Sequence, residues 1–179
     1  IFYIKQRKIE FKNTFIDIIN DVDFNTERTK WQLKFAFVTT SAIMIGEFLH
    51  IPRTMWIGIA CMSVFHPDKS QLQIRYKQRM LYMVLGCLMY MSIYFLIPQQ
   101  FRGLIGLIGG VMIGFSGTYK WQTVFNAFGA LSAATPILGF GGAIIFRILN
   151  NVFGALYSKG FDYIINFIDN KEFANVNEA

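Results

Sequence analysis

Residues 79–86 read RMLYMVLG, and residues 147–154 read RILNNVFG. Arg, Leu, Val and Gly stand at the same places in both, giving the pattern R-x-L-x-x-V-x-G. If the phrase heads the third apolar segment and recurs in the sixth, the chain divides into two sets of three helices. An odd number of spans per set inverts the second set, a recurrent build among polytopic membrane proteins. Trp56 and Pro67 flank the second segment, and Trp121 and Pro136 lie in the fifth, with a spacing that differs by four residues. A composition this biased also produces such matches by chance, so the surrounding sequence has to decide.

The 179 residues are 54% hydrophobic and only 16% charged, and the mean hydropathy is +0.38. An ordinary soluble domain is more polar than this, which points to a membrane protein. The chain opens on Ile1, so it reads as a fragment of something longer. Cys61 and Cys87 sit in apolar runs, without the close spacing of a metal site or a disulfide framework. The run KQRK interrupts the first apolar residues, so no secretory signal is expected.

Six apolar segments follow: 31–49, 54–65, 80–97, 104–115, one from residue 121 to LGFGG, and 143–157. Connections this short leave room for an antiparallel helical bundle. The expected fold is all-α, a polytopic membrane bundle of six transmembrane helices built as two inverted three-helix repeats. A soluble helical core would need polar helix faces that these runs lack. Residues 1–30 place Ile4, Phe11, Phe15, Ile18 and Val22 at helical spacing and predict an amphipathic helix, cytoplasmic or interfacial. Residues 31–165 form the transmembrane domain, with Asn25 or Thr26 capping its first helix. Residues 166–179 are a polar, frayed cytoplasmic tail.

The net charge of +6 fits either nucleic acid or a membrane surface, and position separates them. The basic residues lie at the edges of apolar runs rather than in a continuous stripe, which excludes nucleic acid. Arg28, Lys30, Lys34, Lys69, Arg75, Lys77, Arg79 and Lys120 fall on one side of the bundle, and only Arg53 and Arg102 on the other. Both chain ends should therefore face the cytoplasm.

Within the bundle the two arginines of the repeated phrase acquire different expectations. Arg79 lies at the cytoplasmic mouth, where water and phosphates solvate it as an anchor. Arg147 lies about five residues, or roughly 7 Å, inside the sixth segment on the opposite side. An arginine there costs about 3 kcal/mol unless it snorkels, pairs or faces water. Its candidate partner is Glu47, the acid of the first segment. Two readings stand: a structural pair, or Arg147 drawing a carboxylate substrate while Glu47 couples to protons. Asn150 and Asn151 follow within one turn and could bridge helices or line a polar cavity. Gly106, Gly110 and Gly114 are four apart on one face and mark close helix packing. Gly86 and Gly154 are the points where each third helix should pack on its own set of three.

The stretch RTMWIGIACMSVFHPD, 53–68, resembles fusaric acid resistance protein-like and aromatic acid exporter membrane proteins. In these an aromatic residue, here Trp56, begins the second helix and a Pro-acid pair, here Pro67 and Asp68, ends it. Basic residues and an Arg-headed phrase ending in Gly follow, here Arg79 to Gly86. The sixth helix carries a similar phrase, here ending at Gly154. Tyr82 and Met83 replace a Gly-Thr pair of the first phrase, and Asn151 replaces a Thr of the second. The resemblance covers roughly residues 26–158.

The resemblance implies efflux of aromatic or other weak organic acids across a bacterial cytoplasmic membrane, driven by the proton gradient. Its partners would be the lipid bilayer, a small organic anion, and either a homo-oligomer or a second transporter half. Plant organic-anion channels are similar in fold, so a passive anion channel is one alternative and a non-transporting membrane scaffold another. No enzyme is expected. His50 and His66 lack neighbours at metal-ligand spacing, no Gly-rich phosphate loop is present, and neither a metal nor a cofactor is called for.

Overall fold

A computed structural model describes residues 23–24 and 26–177, with side chains as far as 167. The amphipathic helix expected over 1–30 lies mostly outside the described residues. The chain divides into two units, Ile1–Lys34 and Phe35–Ala179.

In the first unit, the helix α1, Glu27–Phe48, begins at Thr26. The Thr26 hydroxyl accepts from the Thr29 amide at 3.3 Å, satisfying one of the donors a helix start leaves free. Lys30 pairs with Glu27 at 3.1 Å, a surface contact of small worth.

The second unit continues α1 and adds α2, Met55–Val64, α3, Lys69–Leu96, a 3-10 turn at Gln99–Phe101, α4, Gly103–Phe115, and α5, Tyr119–Asn177. The described residues contain no strand. Asp68 caps α3 by accepting from the Ser70 amide and hydroxyl, both at 2.8 Å. These bonds, that from the Ser70 side chain first, hold the Asp68 carboxyl below the usual carboxylate range. Pro98 ends α3, because a residue before proline is driven into extended backbone, as Ile97 is at ψ 133°.

The last two expected segments are one helix with a break. Its apolar part, Tyr119–Phe167, has 49 residues, about 74 Å if straight, against a bilayer core of about 30 Å. At Gly139 the backbone turns to φ 71° and ψ 164°, a region open essentially to glycine alone. Pro136 lies inside the first arm, and the break falls three residues after it. The second arm remains helical to Asn177, through the stretch expected to fray.

Two helices, Lys69–Leu96 and Tyr119–Phe167, are long and apolar enough to cross a membrane. Phe48, Leu96 and Phe115 are each 82% exposed, and Leu107 and Val111 also face outward. An apolar exterior over an all-helical backbone is what lipid requires, since every backbone polar group is satisfied within its own helix. The chain is a membrane-embedded helical protein in contact with lipid.

Helix α5 packs against α2, α3 and α4, and its second arm runs antiparallel to α3: Tyr76 meets Lys159, Arg79 meets Asn151, and Tyr94 meets Phe140. Glycines set the closest approaches. A side chain at Gly86 would meet the Val124 carbonyl at 2.8 Å and the Ala127 methyl at 3.0 Å, and one at Gly154 the Ile57 carbonyl and the Ala60 methyl. Gly86 thus packs on the first arm of α5, and Gly154 on α2. Each glycine faces a helix outside the three segments with which sequence groups it. The reason is steric: a bare backbone lets the carbonyl ridge of the opposite helix in.

Candidate functional site

Arg147 is 0% exposed. None of its Nε, Nη1 and Nη2 atoms has a hydrogen-bond partner among the described residues. Its guanidinium lies over the Trp56 ring, 4.9 Å from the centroid, within the range of a cation–π contact. One face of the cation is thereby covered, while its five N–H donors stay unmet.

Arg79 is buried as well, at 2% exposure, so it is not the solvated anchor expected at the mouth. Its Nε and Nη2 donate to Asn151 Oδ1 at 3.0 and 2.7 Å. Asn151 Nδ2 in turn donates to the Arg147 carbonyl at 2.7 Å. One amide thus ties the head of the first phrase to the second phrase, which sequence places on opposite sides. The antiparallel crossing of α3 and α5 makes this contact. An amide is a neutral partner, so neither guanidinium has its charge compensated by it.

Glu47 does not pair with Arg147. It is exposed and accepts a hydrogen bond from the Thr54 hydroxyl, which closes the turn between α1 and α2. The expected pair fails because that turn keeps Glu47 at the C-terminal end of α1, on the Thr54 hydroxyl. Asn150 serves the same turn: its Nδ2 donates to the Pro52 and Arg53 carbonyls at 2.8 and 3.1 Å. There His50 and Arg53 hold φ of 52° and 60°, uncommon for residues other than glycine. The glycine stripe of α4 is divided. Gly106 packs on Ser132, and Gly109, absent from the expected stripe, on Phe128, while Gly110 and Gly114 border open space. The face used within the chain is rotated toward the first arm of α5.

Two polar cavities lie along α3. One, of about 330 Å³, is lined by Arg79 with Ser63, Tyr119, Gln122, Thr123 and Asn126, and by Ile59 and Ile113. The other, of about 300 Å³, takes in Tyr90, Tyr94, Arg102, Ser132 and Thr135. In the second, Arg102 lies over the Tyr94 ring at 4.1 Å, and the Tyr90 and Thr135 hydroxyls are 3.2 Å apart. Buried Met83, Cys87, Val124 and Leu131 form the core along the same two helices. Sequence reading missed these linings. The signal was present as Tyr119, Gln122, Thr123 and Asn126, polar residues at helical spacing on one stripe of an apolar helix.

A family model described as fusaric acid resistance protein-like matches residues 41–158. The chain belongs to the fusaric acid resistance protein-like family. It is accordingly a membrane transport-related protein. No curated protein and no solved structure matches it. The matched span contains the whole arginine network and both cavities. Of the residues on which the resemblance rests, Trp56 covers Arg147, Asp68 caps α3, with Pro67 just before it, and Gly86 and Gly154 are the two close crossings.

Proposed function

We propose that this family member moves small organic anions, of the class of aromatic or other weak organic acids, by proton-driven secondary efflux. The observation that carries this reading is the Arg147 guanidinium, fully buried and without an acceptor. An uncompensated buried cation costs several kcal/mol. An organic anion held in the network that joins it to Arg79 through Asn151 would offset that cost, and the family's name, resistance to an organic acid, agrees with such a ligand.

The architecture we infer is six spans in two inverted sets of three: α1, α2 and α3, then α4 and the two arms of α5. The paired crossings support it. Val124 and Ala127 face Gly86 as Ile57 and Ala60 face Gly154, through a carbonyl and a methyl three residues on. A bacterial cytoplasmic membrane with both chain ends inside fits the placement of Arg75, Lys120 and Lys159, each over a tyrosine at one end of the α3–α5 pair. Glu47 is the acid we assign to proton coupling.

Vesicles carrying the purified chain, loaded with labelled aromatic and aliphatic acids and given or denied a pH gradient, test the reading. Flux that follows the gradient supports it. Anion current without that dependence makes the protein a passive channel instead. Oligomers that move no acid leave a scaffold.

A further inference from the structure

The two helix crossings differ at one position beside each arginine. Trp56 immediately precedes Ile57, whose carbonyl faces Gly154, and Thr123 immediately precedes Val124, whose carbonyl faces Gly86. The two residues therefore occupy matching places. At the first, the indole lies on Arg147. At the second, the small threonine leaves beside Arg79 the cavity of about 330 Å³. One arginine is covered by the indole, and the other, itself buried, borders the cavity.

Arg79 has donors to spare. Two of the five N–H groups of a guanidinium are committed to Asn151, and Tyr119 shares the cavity wall with it. No carboxylate is paired with Arg79 among the described residues; the ion pair they contain is Lys30 with Glu27. Around the cation stand hydroxyls and amides: Tyr119 donates to Ser63 at 3.1 Å, and Gln122 and Asn126 complete the polar wall. Ile59 and Ile113 supply an apolar wall. A cavity near 300 Å³ is at the small end of sites for organic molecules. A positive centre, a polar rim and an apolar wall in that space suit a single-ring or short-chain monocarboxylate.

We propose that the Arg79 cavity binds a small organic monocarboxylate, Arg79 receiving the carboxylate and the isoleucines the hydrocarbon part, while Trp56 keeps the matching place at Arg147 shut. This rests on the organic-anion reading above and names its site. Thr123 is then the residue whose small size keeps the site open.

The test is equilibrium binding of labelled benzoate to the purified full chain in detergent. Wild type should bind saturably. Thr123→Trp, which copies at Arg79 what Trp56 does at Arg147, should abolish binding. Asn126→Asp changes no volume but puts a carboxylate in the cavity with Arg79, and should weaken binding about tenfold or more; it decides the matter if Thr123→Trp does not fold. Benzoate bound equally by wild type and Asn126→Asp overturns the site. Equimolar chloride that displaces benzoate completely overturns the organic class. Binding and flux separate the two proposals. Binding lost in Asn126→Asp, in a protein that moves no acid in vesicles, keeps this site and removes the transport reading. Undiminished flux in Asn126→Asp does the reverse.

Discussion

Replacing Arg147 separates function from stability in opposite directions. Arg147→Ala should abolish export while the protein still inserts and folds, because no hydrogen bond among the described residues depends on its guanidinium. Arg147→Met, which fills the volume without the charge, should be as stable as wild type or up to about 4 kcal/mol more stable. Thermal unfolding beside vesicle flux checks both; normal flux in a well-folded Arg147→Ala variant would sink the assignment. Asn150 behaves otherwise. Asn150→Leu strips two bonds from the turn at Pro52 and Arg53 and should cost about 1–3 kcal/mol, read as a lower unfolding midpoint.

Among the elements, α5 is the one whose course hangs on a single residue. Gly139→Ala meets no neighbour, since its side chain would enter open space, so any loss comes from backbone strain alone. About 1–3 kcal/mol is expected. Gly154→Ala is strained for another reason, an Ala60 methyl 2.9 Å away and the Ile57 carbonyl, and should cost about 1–3 kcal/mol by overpacking. Gly110→Ala, in open space, is the control and should leave the midpoint unchanged. The start of α3 carries a pH dependence. Its Asp68 carboxyl is depressed, so the cap is fully present above the unfolded carboxylate range, about pH 4, and is lost as pH falls below it. Asp68→Asn keeps a capping oxygen that does not titrate. Its midpoint should therefore fall less than that of wild type between about pH 5 and 3.

For the whole molecule the coupling is at issue. Glu47 contacts Thr54 rather than an arginine, so replacing it leaves the buried network intact. Glu47→Gln should keep acid flux down a concentration gradient and lose its dependence on an imposed pH gradient. An unchanged gradient response would remove Glu47 from the mechanism. The position of the cavities belongs to this scale. Arg79 and Tyr94 are 15 residues apart on α3, about 22 Å along a helix, with Met83 and Cys87 buried between them. A packed core thus separates the two cavities.

Much of this was legible in the chain as written. Composition and the apolar runs determine an all-helical membrane protein, because lipid leaves backbone groups no other way to be satisfied. The phrase beginning at Arg79 and Arg147 singles out Arg147 and Asn151. What the phrase could not tell is which helix meets which. Contacts such as Arg79 with Asn151, 72 residues apart, depend on where the chain turns. That place was set by the backbone at Gly139 rather than by Pro136. The exchange of partners at Gly86 and Gly154, the turn that holds Glu47 away from Arg147, and the cavity left by Thr123 where Trp56 fills the other site are likewise products of packing. A residue's type constrains what it can do locally; only the helices brought against it decide whether its charge is covered or exposed to a ligand.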